Sequence, residues 1–501
     1  MIRFTGEKEG LELCGQGAAA TRLVLVGPQS GGRTQIILVS RGSAPVARGP
    51  RRITLSGFST AHGEMSNLDP ELVHNHIELD ATAGDVTDVE IHDIYFGACL
   101  GDGIRLSGGL QPVPTLVRNT RIHHVTMRLG GHPQAMRGGA RAGVSFQKGV
   151  RDVMLSDFFL IGARNSCLDM EPTSPSVMEN ITVTNGTIDN TEGKTWVAAS
   201  FGGFEDATRE ARLSNSRMVN VRIRGGALYV LSTRGTTLDN IEIDANRGDT
   251  ADALDAPLLL VKRANEDLTV RNVSLLRDSA CLPGPLALIS HHGTSPRRIN
   301  VEGGTWTTRV GPGTQLSYVD LLSADRIRIR GTRIRIEDAP AATSYGFRIV
   351  PSLQDMAGVH LDGVAIESPD GLTAGFWFAA TTARRIANIM VTGCSLAGAA
   401  TSGILFDATG SPPVDRHPVV QGNDFATCAE LWSAARTAVN NVFPIIGGNR
   451  GGRVTLSGTP APEGVVAAIQ GSQYVRHNPA ELWFKVTGTA ATGWVKLGGA
   501  P

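Results

Sequence analysis

"ITVTNGTI", residues 181–188, decides the fold. Ile181 and Val183 alternate with threonines, Asn185 breaks the alternation, and a shorter strand-like piece follows. Alternation with period two marks a half-buried strand. Asn and Gly tolerate left-handed backbone angles, so the interruption reads as a sharp bend. The same shape recurs in "LTVRNVSL" (268–275), "IRIRGTRI" (327–334), "VHLDGVAI" (359–366) and "IMVTGCSL" (389–396). A second type of strand follows ten to twenty residues later, as in "AGVSFQKG" (142–149), "SCLDMEP" (166–172), "YGFRIVPS" (345–352) and "GILFDATG" (403–410). Most of these strands start about 30 residues apart, a period that with no helical stretch means a solenoid of strands.

The predicted fold is therefore all-β: a right-handed parallel β-helix of about 11–12 coils with a small C-terminal β module. A β-propeller would need four antiparallel strands per blade and frequent hairpin turns, which the single bend per period does not provide. Residues 1–20 read as an irregular N-terminal segment and 21–445 as the helix, with 21–80 as atypical capping coils. Residues 446–461 read as a Gly/Pro-rich linker and 462–501 as the C-terminal module. Val144, Phe146, Leu168, Met170, Leu288, Phe347 and Leu405 are expected to point inward. Ser145, Gln147, Asp169 and Glu171 are expected to point outward.

Composition narrows the classes. Glycine supplies 60 of 501 residues and aromatics only 5 %, which suits strands and tight turns. Lysine and arginine balance aspartate and glutamate at 47 each, so no global charge attracts nucleic acid or an anionic membrane. No apolar run reaches the length of a membrane span, and the first residues lack a Sec signal pattern. Six cysteines are scattered without a CxxC pair, so free thiols are expected rather than a zinc site or disulfides. No cofactor and no metal site is predicted.

The stretch "ARAGVSFQKGVRDVMLSDFFLIGARNSCLDMEPT" (140–173) resembles the pectate-lyase-like β-helix of bacteriophage tail spikes and tail fibres. "PEGVVAAIQGSQYVRHNPAELWFKVTGTAATGWVKL" (462–497) is similar to a short module that closes many phage tail and receptor-binding proteins. The resemblance implies a phage or prophage tail protein that recognises bacterial surface polysaccharide and possesses or lacks depolymerase activity. It implies a homotrimer, contacts with other tail or baseplate proteins, and a place on the virion tail. The alternatives are a non-enzymatic adhesin and a free bacterial polysaccharide lyase or hydrolase.

The candidate chemistry sits on the outer face. Aligning the second strands puts Arg105, Ser145 and Asp169 in one outward column and Ser107, Gln147 and Glu171 in the next. Asp169 and Glu171 lie about 6.5–7 Å apart along the strand. Paired carboxylates serve as general acid and base across a glycosidic bond, and make Asp169 and Glu171 the catalytic candidates. Arg105, Gln147, Lys148 and Asp102 are the substrate-binding candidates. Non-catalytic ligand binding and a purely structural ion pair with Arg105 remain open for the same acids. Trp196, Tyr229 and Trp377 are read either as outward sugar platforms or as residues of the inner ladders.

Overall fold

The computed structural model describes residues 1–497 apart from 27–34, 42–48, 64–73, 110–114, 129–140, 164, 173–177, 193–195, 204–212, 247–255, 280, 291–294, 313–315, 338–342, 353, 370, 380–383, 399, 408–417, 435–444, 451–454, 459–460, 467–471, 478–479 and 488–490. The chain forms about eleven turns of parallel β-solenoid, and no described residue is helical. It divides into two compact units, Met1–Leu254 with Leu258–Leu260, and Asp255–Pro257 with Val261–Pro501.

In the first unit one sheet stacks Ile2–Thr5, Gln35–Ser40, Asn75–Ala81, Ile104–Gly108, Ala142–Phe146, Ser166–Met170, Val197–Gly202 and Ala227–Leu231 in that order. The pairings between them are parallel, with a register shift between Val197 and Ala199. Ile104, Val144, Leu168, Ala199 and Leu228 form one inward ladder, with Leu106, Phe146 and Met170 in the next; all are fully buried. Such ladders remove apolar surface from water at every turn, which is the main favourable term.

The bends have a common cause. Asp93, His124, Asp157, Asn185, Asn220 and Asn240 occupy equivalent positions, all with φ between 51° and 55°. Short polar side chains tolerate this region, and here they also pair along the stack. Asn220 Nδ2 donates to Asn185 Oδ1 at 3.2 Å, and Asn240 Nδ2 to Asn220 Oδ1 at 2.8 Å. Next to Asn185, Gly186 is required by packing: a Cβ there would lie 2.1 Å from the Phe158 ring.

In the second unit Ala287–Ser290, Ser317–Leu322, Tyr345–Val350, Leu372–Ala379, Ala400–Asp407 and Cys428–Ala434 stack in the same way. Its bend column begins at Asn272, with φ 49°, and continues in glycine through Gly303, Gly331, Gly363, Gly393, Gly422 and Gly448, with φ of 61–68°. A four-stranded sheet of Thr455–Gly458, Gln473–His477, Ala480–Lys485 and Trp494–Leu497 forms the C-terminal module. Buried Tyr474 and Trp494 meet edge to face there, with Trp494 Nε1 donating to the Val466 carbonyl.

Three expectations differ from this arrangement. Leu288 and Leu405 are not core residues: Ala287 and Ile289, and Ile404 and Phe406, are buried in their place. Residues 1–20 are not irregular, since Ile2–Thr5 and Glu9–Cys14 pair with strands of the next turn. The stretch read as a linker holds Ile445–Gly447, paired with Val419–Gln421, and Thr455–Gly458 of the terminal sheet. All six cysteines are free thiols; Cys99, Cys167, Cys394 and Cys428 are buried, Cys281 is half-buried and Cys14 is exposed.

Candidate functional site

The outward column of the first unit reads Glu78, Arg105, Ser145, Asp169, Ser200 and Tyr229, one residue per turn. Their side chains leave the sheet because the apolar neighbours on either side fill the ladders. Asp80, Ser107 and, at the strand ends, Gln147 and Glu171 lie two residues further along. The acids are thus delivered side by side by the alternation of "SCLDMEP".

Their partner is Arg141, which stands just before Ala142–Phe146. Its Nε donates to Asp102 Oδ1 at 3.0 Å and its Nη2 to Asp102 Oδ2 at 2.8 Å and Ser145 Oγ at 2.9 Å. Its Nη1 lies 3.9 Å from Asp169 Oδ2 and 3.5 Å from Glu171 Oε2. One guanidinium therefore serves three carboxylates. Asp102 is fully buried and Asp169 nearly so, whereas the Glu171 side chain keeps 38 % of its surface.

Three acids on one cation cannot all ionise cheaply in a site this dry. Burial, then the adjoining Glu171 carboxyl, pushes the Asp169 carboxyl up to about 7, against the opposing pull of Arg141. Asp169 is thus the member of the cluster held toward its protonated form near neutral pH.

Arg105 is placed differently from the expectation that it pairs with Asp169. It is buried, donates from Nη2 to Gln147 Oε1 at 2.5 Å, and lies 3.8 Å from Glu78. Gln147 Nε2 in turn reaches Glu171 Oε2 at 3.5 Å, a long contact that links the two rows. Glu78 is also held by Gln35 Nε2 at 2.6 Å and Asn75 Nδ2 at 3.1 Å. Lys148 is half-buried at the end of its strand, where its carbonyl accepts from Gly108. Asp102 offers no surface to a ligand while Arg141 covers it. Tyr229 stands half-buried in the outward column, two turns beyond Asp169; Trp196 is buried. Trp377 of the second unit stacks on Tyr345 with ring centroids 4.3 Å apart.

Arg141 was passed over in the sequence because it precedes the strand and therefore falls outside the alternation. The physical requirement is general: buried acids on the turns before and after it need a cation within reach.

The raised Asp169 carboxyl sets a pH dependence. Asp169 binds a proton more tightly in the folded chain than in the unfolded one, so its contribution is complete below pH about 4 and is lost as pH rises through about 7. Asp169→Asn mimics the protonated form and should abolish this loss. In urea titrations at pH 5 and pH 8, the wild type is expected to lose on the order of 1–3 kcal/mol relative to the variant at the higher pH. Parallel pH profiles would contradict the raised Asp169 carboxyl.

A groove of about 670 Å³ opens elsewhere on the first unit, along the bend column. Asp157, Asn185, Asn220 and Asn240 line it, together with Phe159, Arg222 and Glu242. It contains none of the acids gathered by Arg141.

No protein-family model matches the chain, and no curated protein matches it in sequence. Among solved structures, tailspike protein 3 of bacteriophage CBA120 aligns over 90 % of this chain and 64 % of its own, with 11 % identity and a TM-score of 0.43. The A-module of Azotobacter vinelandii mannuronan C-5 epimerase AlgE6 aligns over 79 % of this chain and 90 % of its own, with 11 % identity and a TM-score of 0.34. The catalytic domain of a GH87 α-1,3-glucanase aligns over 79 % and 60 %, again at 11 % identity, with a TM-score of 0.22. These distant similarities are to a tailspike and to polysaccharide-acting β-helix enzymes, and what the chain shares with them is the parallel β-solenoid.

Proposed function

We propose that this chain is a tail spike or tail fibre protein of a phage or prophage, and that its first unit binds and cleaves bacterial surface polysaccharide. The observation that carries the catalytic part is the Asp169–Glu171 pair, gathered at the outer face around Arg141 with the Asp169 carboxyl raised to about 7. The tail assignment rests on the sequence resemblances at 140–173 and 462–497, and with it come a homotrimer and attachment to other tail or baseplate proteins.

The pair supplies a proton donor and an acceptor at one place. Asp169, whose carboxyl is held toward its protonated form, is the donor, and Glu171, half-exposed just past the end of the strand, is the acceptor. A second reading, binding without cleavage, is favoured by the separate amide-lined groove with its exposed Phe159 platform.

Release of reducing or unsaturated ends from a panel of capsules and lipopolysaccharides distinguishes these readings, with light scattering on the same samples for the trimer. Asp169→Asn and Glu171→Gln should each lower release by roughly 10²–10⁴-fold while glycan binding and assembly persist. Full cleavage by a stable double variant would refute the catalytic assignment. Binding without end release by the wild type would establish the second reading, and a monomer would remove the tail assignment's main structural expectation.

A further inference from the structure

The solenoid also gathers three side chains that are 14 and 23 residues apart in sequence. His62 ends the strand Ser59–His62, His76 is the second residue of Asn75–Ala81, and Cys99 lies in the turn that leads to Ile104–Gly108. One ligand-type atom from each lies within 4.8 Å of the other two, and all three residues are buried. The imidazole rings meet edge to face at 4.4 Å, with Phe96 closing the far side of His76 at 5.8 Å.

We propose that His62, His76 and Cys99 form a buried site for a thiophilic d10 metal ion, Zn(II) or Cu(I). Two imidazoles and one thiolate are the donors such ions select, whereas Ca(II) and Mg(II) require oxygen. At metal–nitrogen and metal–sulfur lengths of about 2.0–2.3 Å, donors around one ion stand about 3.3–3.8 Å apart. From separations within 4.8 Å, the cluster contracts by at most about 1–1.5 Å on loading. Among the described residues no fourth His, Cys, Asp or Glu joins it, which fits three-coordinate Cu(I) directly and leaves an open position on Zn(II).

The surroundings already orient the ligands. Thr60 Oγ1 lies 2.6 Å from His76 Nδ1, the kind of outer hydrogen bond that fixes a ligating ring. The Gly101 amide donates to Cys99 Sγ at 3.4 Å, an outer contact that positions the sulfur. His62 Nδ1 accepts from the Leu100 amide at 3.1 Å. Coordination through that nitrogen exchanges this bond for the metal and leaves the ring neutral, with its proton on Nε2. The Cys99 thiol proton leaves to solvent as the metal–sulfur bond forms. With the thiolate, the Cu(I) form is neutral and the Zn(II) form carries one positive charge.

The ion would fasten the turn that carries Asp102 to two earlier strands. Since Asp102 holds Arg141, the site would brace the acid cluster from beneath.

The test uses the full chain, made in medium supplemented with zinc or copper and also refolded with Co(II) as a spectroscopic probe. One equivalent of zinc or copper should survive exhaustive dialysis, the retained metal distinguishing the two ions. The Co(II) form should show a thiolate-to-cobalt charge-transfer band. Cys99→Ser and His76→Gln should lower retention at least tenfold, whereas His123→Gln/His124→Gln, at a histidine pair outside the cluster, should not. Equal retention by Cys99→Ser overturns the proposal. So does a wild-type chain that holds no metal and shows no charge-transfer band, a result that stands even if the variants misfold.

Discussion

Arg141→Met is expected to destabilise the first unit by about 3–5 kcal/mol at pH 8, read from the midpoint of urea unfolding. The reason is what the substitution leaves behind. Asp102 is fully buried, and both of its carboxylate oxygens are held by this guanidinium. Methionine fills part of the space but cannot accompany a buried charge, so Asp102 must either take up a proton or draw in water. Asp169 and Glu171 lose the same counter-charge. Asp102→Asn in the Arg141→Met background should recover more than half of the loss, because the orphaned charge is then gone. A loss below ~1 kcal/mol for the single variant would mean that the cluster is already neutral without Arg141.

Phe146→Asp should prevent folding altogether. Phe146 is fully buried between Leu106 and Met170 on adjacent turns, with Gln147 and Ser145 facing the other way. Losing the ring costs about 3–5 kcal/mol, and burying an unpaired carboxylate adds several more. The sum approaches the whole stability of an ordinary domain. Phe146→Leu, which keeps the apolar character, should cost no more than ~2 kcal/mol and retain the β-sheet circular dichroism. A soluble, cooperatively melting Phe146→Asp chain would place this residue on the wrong side of the sheet.

The fold was legible where the pattern was unambiguous. In "ITVTNGTI" the apolar residues alternate and Asn185 must bend, and the structure shows both. The pattern failed where apolar residues run together: "LALIS" and "GILF" offer both parities, so the inward set could not be told from the outward one. Asp169 and Glu171 were legible as outward neighbours because strand alternation fixes them. Arg141, Glu78 and the His62–His76–Cys99 cluster were not. Their proximity comes from coils closing over loops of irregular length, and no local pattern records which turn residues meet there. The conversion of Arg105 from a partner of Asp169 to a partner of Gln147 has the same origin. Register fixes its Cα, but side-chain competition decides its contact.

The repeated left-handed bend has a consequence for how such a chain changes over generations. Each turn presents its neighbours with the same kind of corner, whether Asn220 above Asn185 or Gly393 above Gly363. A segment of one period can therefore be duplicated or deleted at a bend while the flanking turns find equivalent partners. The acids and their arginine come from only three turns, those of Asp102, Arg141 and Asp169. Heritable variation in the number of turns is thus separable from variation in the chemistry, and recombination can alter the one without editing the other.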